Sequence, residues 1–195
     1  RTAEDVIAGI AAVRAAVNFL DIRAGQELAR LLTRSDRPEP WQAAGHILIA
    51  QGHLALGEWA AADSALDVAK DVEPGWALEM KALGLLLPDA PATAEQLGRV
   101  RSELEAWDPR QSNPETAFFF LAHAEVHAEL RLYLLALLSV RLDDDPAAQD
   151  YARQLRATGR HRGEREIGRS LSLSIEAHRA WRRGDAEGTL RLLEG

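Results

Sequence analysis

The chain has 195 residues, 47% of them hydrophobic and 27% charged, enough apolar material for a folded core and outside the range of disordered segments. It contains no cysteine, which removes disulfides, thiolate nucleophiles and zinc–cysteine sites. A formal net charge of −7 argues against nucleic acid as the main partner, because phosphate binding draws on Lys and Arg.

The charge is uneven. Residues 150–195 carry ten arginines against seven acids, and residues 1–149 carry thirteen bases against twenty-three acids. The basic end reads as a solvated surface or as a face for an acidic partner. Arginine outnumbers lysine 21 to 2, pointing to a GC-rich bacterial coding sequence. No secretory leader opens the sequence, and no apolar run approaches the roughly 20 residues of a membrane span. The longest, LYLLALLSV from Leu132 to Val140, lies between Arg131 and Arg141 and reads as a buried helix. These features predict a cytoplasmic address without membrane contact, and a start at Arg1 rather than Met suggests a piece of a longer protein.

Apolar residues recur at three- and four-residue steps, and Ala, Leu, Arg and Glu dominate, so the expected class is all-α. Ile7, Ile10, Ala11, Val13 and Val17 form the stripe of a first helix, and Leu28, Leu31 and Leu32 that of a second. SDRPEP (35–40) breaks the chain. Helices follow at about 41–55, 58–72, 75–87 and 93–107, the last after the proline-marked LPDAPAT. DPRQSNPE (108–115) is the most loop-like stretch. A long apolar segment then runs to Leu142, with helices at about 146–158 and 164–182 and a short one ending near Gly195.

Nine or ten helices joined by short turns call for a test of internal repetition. Antiparallel helices approach closely only where side chains are small. Ala50 and Ala62 suit such a contact across a turn at Gly57, Ala69 would face the next helix, and Pro74 prevents continuation. Ile49, Ala50, Gly57, Trp59, Ala62, Leu66, Ala69 and Pro74 together resemble the tetratricopeptide repeat (TPR), a 34-residue helix–turn–helix unit, best matched at 43–76. Met80, Leu83 and Gly84 start another repeat in phase, but Pro91 and Gln96 depart from it where glycine and alanine are expected. Leu132, Leu135, Ala136 and Ala148 recover the pattern, with Asp143 and Asp144 in place of the usual Gly-Asp turn. Leu173 and Ala177 lead to Gly184-Asp185, where Glu176 and Thr189 depart from the pattern. The turns at 57, 91, 143 and 184 are unevenly spaced, so the expected architecture is one irregular TPR-like α-solenoid over 1–195, degenerate on both sides of 43–76. HAELRLYLLALLSVRLDDDPAAQDYA (127–152) also resembles helical-repeat regions of large bacterial signalling proteins such as serine/threonine kinases and transcriptional regulators.

Few constellations carry chemistry. His123 and His127 stand four apart and share a helix face, but Glu125 is not spaced as in the zinc-protease motif, so a histidine pair without metal is expected. Asp143, Asp144 and Asp145 lack the loop length and glycine of a calcium site; Asp145 is the expected helix cap and Pro146 the first helical residue. There is no nucleophile elbow, phosphate loop or dinucleotide fingerprint. Phe118, Phe119 and Phe120 cannot all share one helix face, so at least one of them is expected to plug a neighbouring repeat or to lie in a turn; burial inside the protein is the expected reading and an exposed partner-binding patch the alternative.

The TPR resemblance implies a concave groove, lined by first helices, that binds an extended peptide or partner helix. Carried over, it points to Gln51 and Leu54, to Tyr133, Leu137 and Arg141, and to His178, Trp181 and Arg182. Leu54 and Leu137 suit the core equally well. Trp181 with Arg182 is the favoured pair, since aromatic and Arg side chains are over-represented among interface anchors. The expected function is a non-enzymatic protein-interaction scaffold without cofactor or metal. The alternatives are a ligand-sensing module of a bacterial kinase or transcriptional regulator and, last, a metal-dependent enzyme.

Overall fold

The computed structural model describes residues 21–108, 124–158 and 162–194, and every regular element among them is an α-helix. The expected first helix (Ile7 to Val17), the phenylalanine run, His123 and most of the loop expected at 108–115 lie outside the described residues. The described helices are α1 (Ile22–Arg30), α2 (Glu39–Ala55), α3 (Trp59–Lys70), α4 (Pro74–Leu86), α5 (Ala94–Ala106), α6 (Ala124–Arg141), α7 (Asp145–Ala157), α8 (Arg162–Arg182) and α9 (Ala186–Glu194). None of them is long and apolar enough to cross a membrane. The chain divides into two compact units, Arg1–Ala90 with Arg110–Ala124, and Pro91–Pro109 with Glu125–Gly195.

In the first unit, α2 and α3 pack antiparallel, and α4 lies against both. Ala50, Ala62, Leu66, Ala69 and Ala77 join Ile47 and Leu48 in one buried cluster, with Trp41, Leu54, Trp76 and Met80 packed around it. Glycines set the closest approaches. A Cβ on Gly45 would fall 2.9 Å from Leu32 Cβ beyond the end of α1, and one on Gly84 would fall 2.9 Å from Leu54 Cδ2. The stripe expected on α1 is corrected: the helix ends at Arg30, so Leu31 is exposed and the buried face is Gly25, Gln26 and Ala29, continued by Leu32. Gln26 donates from Nε2 to Ile49 O at 3.4 Å, meeting the rule that a buried amide keeps a partner. The role given to Pro74 is also corrected, because α3 has already ended at Lys70 and Pro74 opens α4, where a missing N–H costs nothing.

In the second unit, α6 carries the apolar run, and Leu134, Leu135, Ala136, Leu138 and Ser139 are completely buried. A helix apolar on nearly all sides belongs inside a protein. Leu132 and Ala136 of α6, Ala152 and Leu155 of α7 and Ile175 of α8 share one cluster. Gly168 lets α8 approach α7 closely, since a Cβ there would fall 2.6 Å from the Leu155 carbonyl oxygen. Polar pins hold α5 in place. Arg131 donates to Leu104 O at 2.5 Å and to Glu105 O at 2.7 Å, satisfying carbonyls at the α5 C-terminus, and Tyr151 donates to Glu105 Oε1 at 2.8 Å.

Candidate interaction surface

Among the described residues one turn occurs three times and sets the register of the candidate residues. Gly57, Asp143 and Gly184 have φ of 72°, 57° and 78°, the left-handed region. In each case the first helix ends two residues earlier and the second begins two residues later. At each turn the left-handed residue donates its N–H to the carbonyl three residues back (Leu54 at 3.1 Å, Val140 at 3.2 Å, Trp181 at 2.9 Å). The following acid donates its own N–H five residues back (His53 at 2.8 Å, Ser139 at 2.9 Å, Ala180 at 3.0 Å). This double bond pattern closes a helix while satisfying its last carbonyls.

The acid after each left-handed residue starts the second helix. Asp144 accepts from Ala147 N at 3.2 Å and Asp185 from Gly188 N at 2.8 Å, while Glu58 instead bonds His53 Nδ1 at 2.6 Å. The expected cap is therefore corrected from Asp145 to Asp144. The turn places the cap directly after the left-handed residue, so Asp145 becomes the first helical residue and Pro146 the second. Asp145 instead holds Arg179, accepting from Nε at 2.7 Å and from Nη2 at 2.6 Å. Asp144 accepts from Arg101 Nη1 at 2.8 Å, and Asp143 from Arg182 Nη2 at 2.6 Å. The hydrogen bond from Arg179 holds the Asp145 carboxyl below its ordinary range, and the Arg101 hydrogen bond, helped by the Ala147 N–H, does the same for Asp144. The three aspartates thus answer to three arginines.

Counting from the left-handed residue aligns the hairpins α2–α3, α6–α7 and α8–α9. Six positions before it stand Gln51, Leu137 and His178; three before it stand Leu54, Val140 and Trp181; nine after it stand Leu66, Ala152 and Leu193. In the first hairpin these positions face α4. Gln51 Nε2 lies 3.5 Å from Met80 Sδ, Leu54 packs on Gly84, and Leu66 shares a cluster with Ala77. In the second, Leu137 packs against the cluster holding Ile175 of α8, and Ala152 belongs to that cluster. In the third, His178 is exposed, and Trp181 and Leu193 are 65% and 64% exposed.

The predicted residues accordingly divide. Gln51, Leu54, Tyr133 and Leu137 are half-buried in helix–helix contacts, Tyr133 through a 3.0 Å hydrogen bond between its hydroxyl and Ser174 Oγ. Arg141 is half-buried. His178, Trp181 and Arg182 are exposed, with Arg182 leaning on Asp143. Sequence reasoning missed Leu190 and Leu193, 60% and 64% exposed beside this group, although their three-residue spacing on a short helix was a readable signal. It also missed Arg179, which reads as one more surface arginine and is 7% exposed. His127 is buried, its ring edge-on to Trp107 at 6.0 Å and 87°. Among the described residues no group of three or more His, Asp or Glu side chains is placed to hold a metal. No family model, curated protein or solved structure matches the chain.

Proposed function

We propose that this chain is a non-enzymatic interaction module of the tetratricopeptide type, in which hairpins stack as a solenoid and offer first-helix faces to a protein partner. The thrice-repeated turn with common register supports the repeat, since the first two hairpins meet the next helix through the same positions. The observation that carries the function is Trp181. An indole 65% exposed occupies the position at which Leu54 and Val140 are covered. Leaving that much apolar surface in water is unfavourable by roughly 25 cal/mol per Å², and a partner recovers it. His178 and Arg182 lie within four residues of Trp181 on the same helix, giving a peptide or partner helix polar groups beside an aromatic anchor. Capture of partners on immobilised full chain, read by mass spectrometry, tests this. Wild type is expected to retain specific proteins that Trp181→Ala and Arg182→Ala lose; equal capture by all three would reject the surface.

A further inference from the structure

We propose that Met80 is a site of reversible oxidation by a hydroperoxide, and that the amide of Gln51 is placed to hold the sulfoxide that forms. Composition singles the residue out. With no cysteine and one methionine, the Met80 Sδ is the only sulfur in 195 residues, so an oxidant that attacks sulfur finds a single target. Its surroundings are specific as well. Met80 is half-buried on α4 and packs against the cluster that holds Ile47, Leu48, Ala50 and Leu66, and Gln51 Nε2 of α2 donates to its sulfur at 3.5 Å. A thioether is a weak acceptor, so this bond adds little to the fold as it stands. Nor does the repeat require an amide there: Leu137 fills the same register position in the second hairpin with hydrocarbon.

The chemistry needs no group beyond the peroxide. A sulfur lone pair attacks the distal oxygen of the hydroperoxide, and an S–O bond forms as the O–O bond breaks. Sulfur is oxidised by two electrons, the peroxide is reduced, and its own proton moves to the departing oxygen, which leaves as alcohol or water. The new oxygen is a strong acceptor. Set among hydrocarbon with no donor, it would force the α2–α4 contact apart; beside Gln51 Nε2 it receives a full hydrogen bond in place of a weak one. Both side chains are unbranched, so the amide can follow the oxygen with a small rotation. Oxidation therefore exchanges an apolar contact between α2 and α4 for a polar one, and reduction of the sulfoxide restores the first.

Hydrogen peroxide added to the full chain, followed by peptide mass mapping and circular dichroism, tests the site. Met80 is expected to take up one oxygen atom while the helical signal is unchanged, and methionine sulfoxide reductases of both epimer specificities are expected to remove it. The thermal midpoint of wild type is expected to move little on oxidation. That of Gln51→Leu is expected to fall by about 2–4 °C more, the loss of one hydrogen bond in a chain of this size. Because Gln51→Leu could itself repack α4, the second readout uses wild type: the Gln51 side-chain amide proton is expected to shift downfield in the NMR spectrum when Met80 is oxidised. Met80→Leu is expected to melt alike with and without peroxide. Sulfoxide that forms only once the helices are lost, or that the reductases leave in place, would overturn the site. So would an unmoved amide signal, equal losses in wild type and Gln51→Leu, or a peroxide effect that persists in Met80→Leu.

Discussion

Arg179 Nε and Nη2 meet the two carboxylate oxygens of Asp145 at 2.7 and 2.6 Å, joining the last turn of α8 to the first turn of α7. The pair is asymmetric in burial: the Arg179 side chain is 8% exposed and that of Asp145 53%. Glu176 Oε2 accepts a further bond from Arg179 Nη1 at 2.6 Å. Removing the Asp145 carboxylate leaves a buried cation with Glu176 as a remaining partner and its Nε and Nη2 donors without the carboxylate that holds them, whereas removing the cation leaves carboxylates that water can reach. Asp145→Ala is expected to cost about 1–3 kcal/mol, a range already discounted for the exposed partner, and more than Arg179→Met costs. Urea unfolding followed by circular dichroism measures both; the reverse order would refute the account.

Acid should loosen the same turn. Arg179 depresses the Asp145 carboxyl, and Arg101 with the Ala147 N–H depresses that of Asp144, both below the ordinary 3.8. The unfolded chain therefore takes up these protons more readily than the folded one. Their contribution is complete above about 3.8 and is lost as the pH falls further, through the folded values. Stability plotted from pH 7 to 3 is expected to fall at the acid end, and less steeply in the Asp144→Asn, Asp145→Asn double variant. Parallel curves for the two proteins would show that these carboxyls do not set the acid limb.

Tyr151 acts at the opposite end of the pH range. Burial, then the hydrogen bond to Glu105, raises its phenol to about 12. A neutral hydroxyl donating to a carboxylate stabilises the fold below pH 10 and stops doing so as the pH rises toward 12. The chain has two tyrosines, so Tyr133→Phe isolates the signal. Its phenolate absorbance is expected to appear near pH 12, and to move down when Glu105→Gln removes the acceptor charge.

Two helical glycines separate propensity from packing. Gly98 in α5 has nothing within 4 Å of a built Cβ, and Gly98→Ala is expected to stabilise by up to about 1 kcal/mol through helix propensity alone. Gly168→Ala drives a methyl against the Leu155 carbonyl, a backbone atom that cannot swing aside, and is expected to cost about 1–3 kcal/mol. Thermal melts of both variants decide, and opposite signs are the expected result.

The left-handed turns give a third comparison. Gly57→Ala meets no neighbour, so its expected cost of about 1–2 kcal/mol is purely conformational. Asp143 already occupies that conformation with a side chain, so Asp143→Gly relieves strain while losing a mostly exposed ion pair with Arg182. The net change is expected to lie between zero and about 1 kcal/mol of stabilisation. A loss beyond that would mean the ion pair matters more than the backbone.

The sequence by itself determined the helices and their punctuation. Three- and four-residue apolar spacing located α2 to α5 and α7 to α9 within about two residues, because amphipathic periodicity, prolines and Gly-acid turns act locally. It even placed an aspartate where the fold needs a left-handed residue. It misjudged what local pattern cannot hold. Leu31 lost its expected burial because α1 stops at Arg30, Asp144 rather than Asp145 took the cap because the turn fixes the register, and Arg179 reads as a surface charge until α7 presents Asp145 to it. Of the eight candidate residues, Leu54 and Trp181 share one register position, and no one-dimensional signal tells them apart. Only tertiary structure does, since burial at that position depends on whether another helix arrives: Gly84 of α4 reaches Leu54, while Trp181 remains in water.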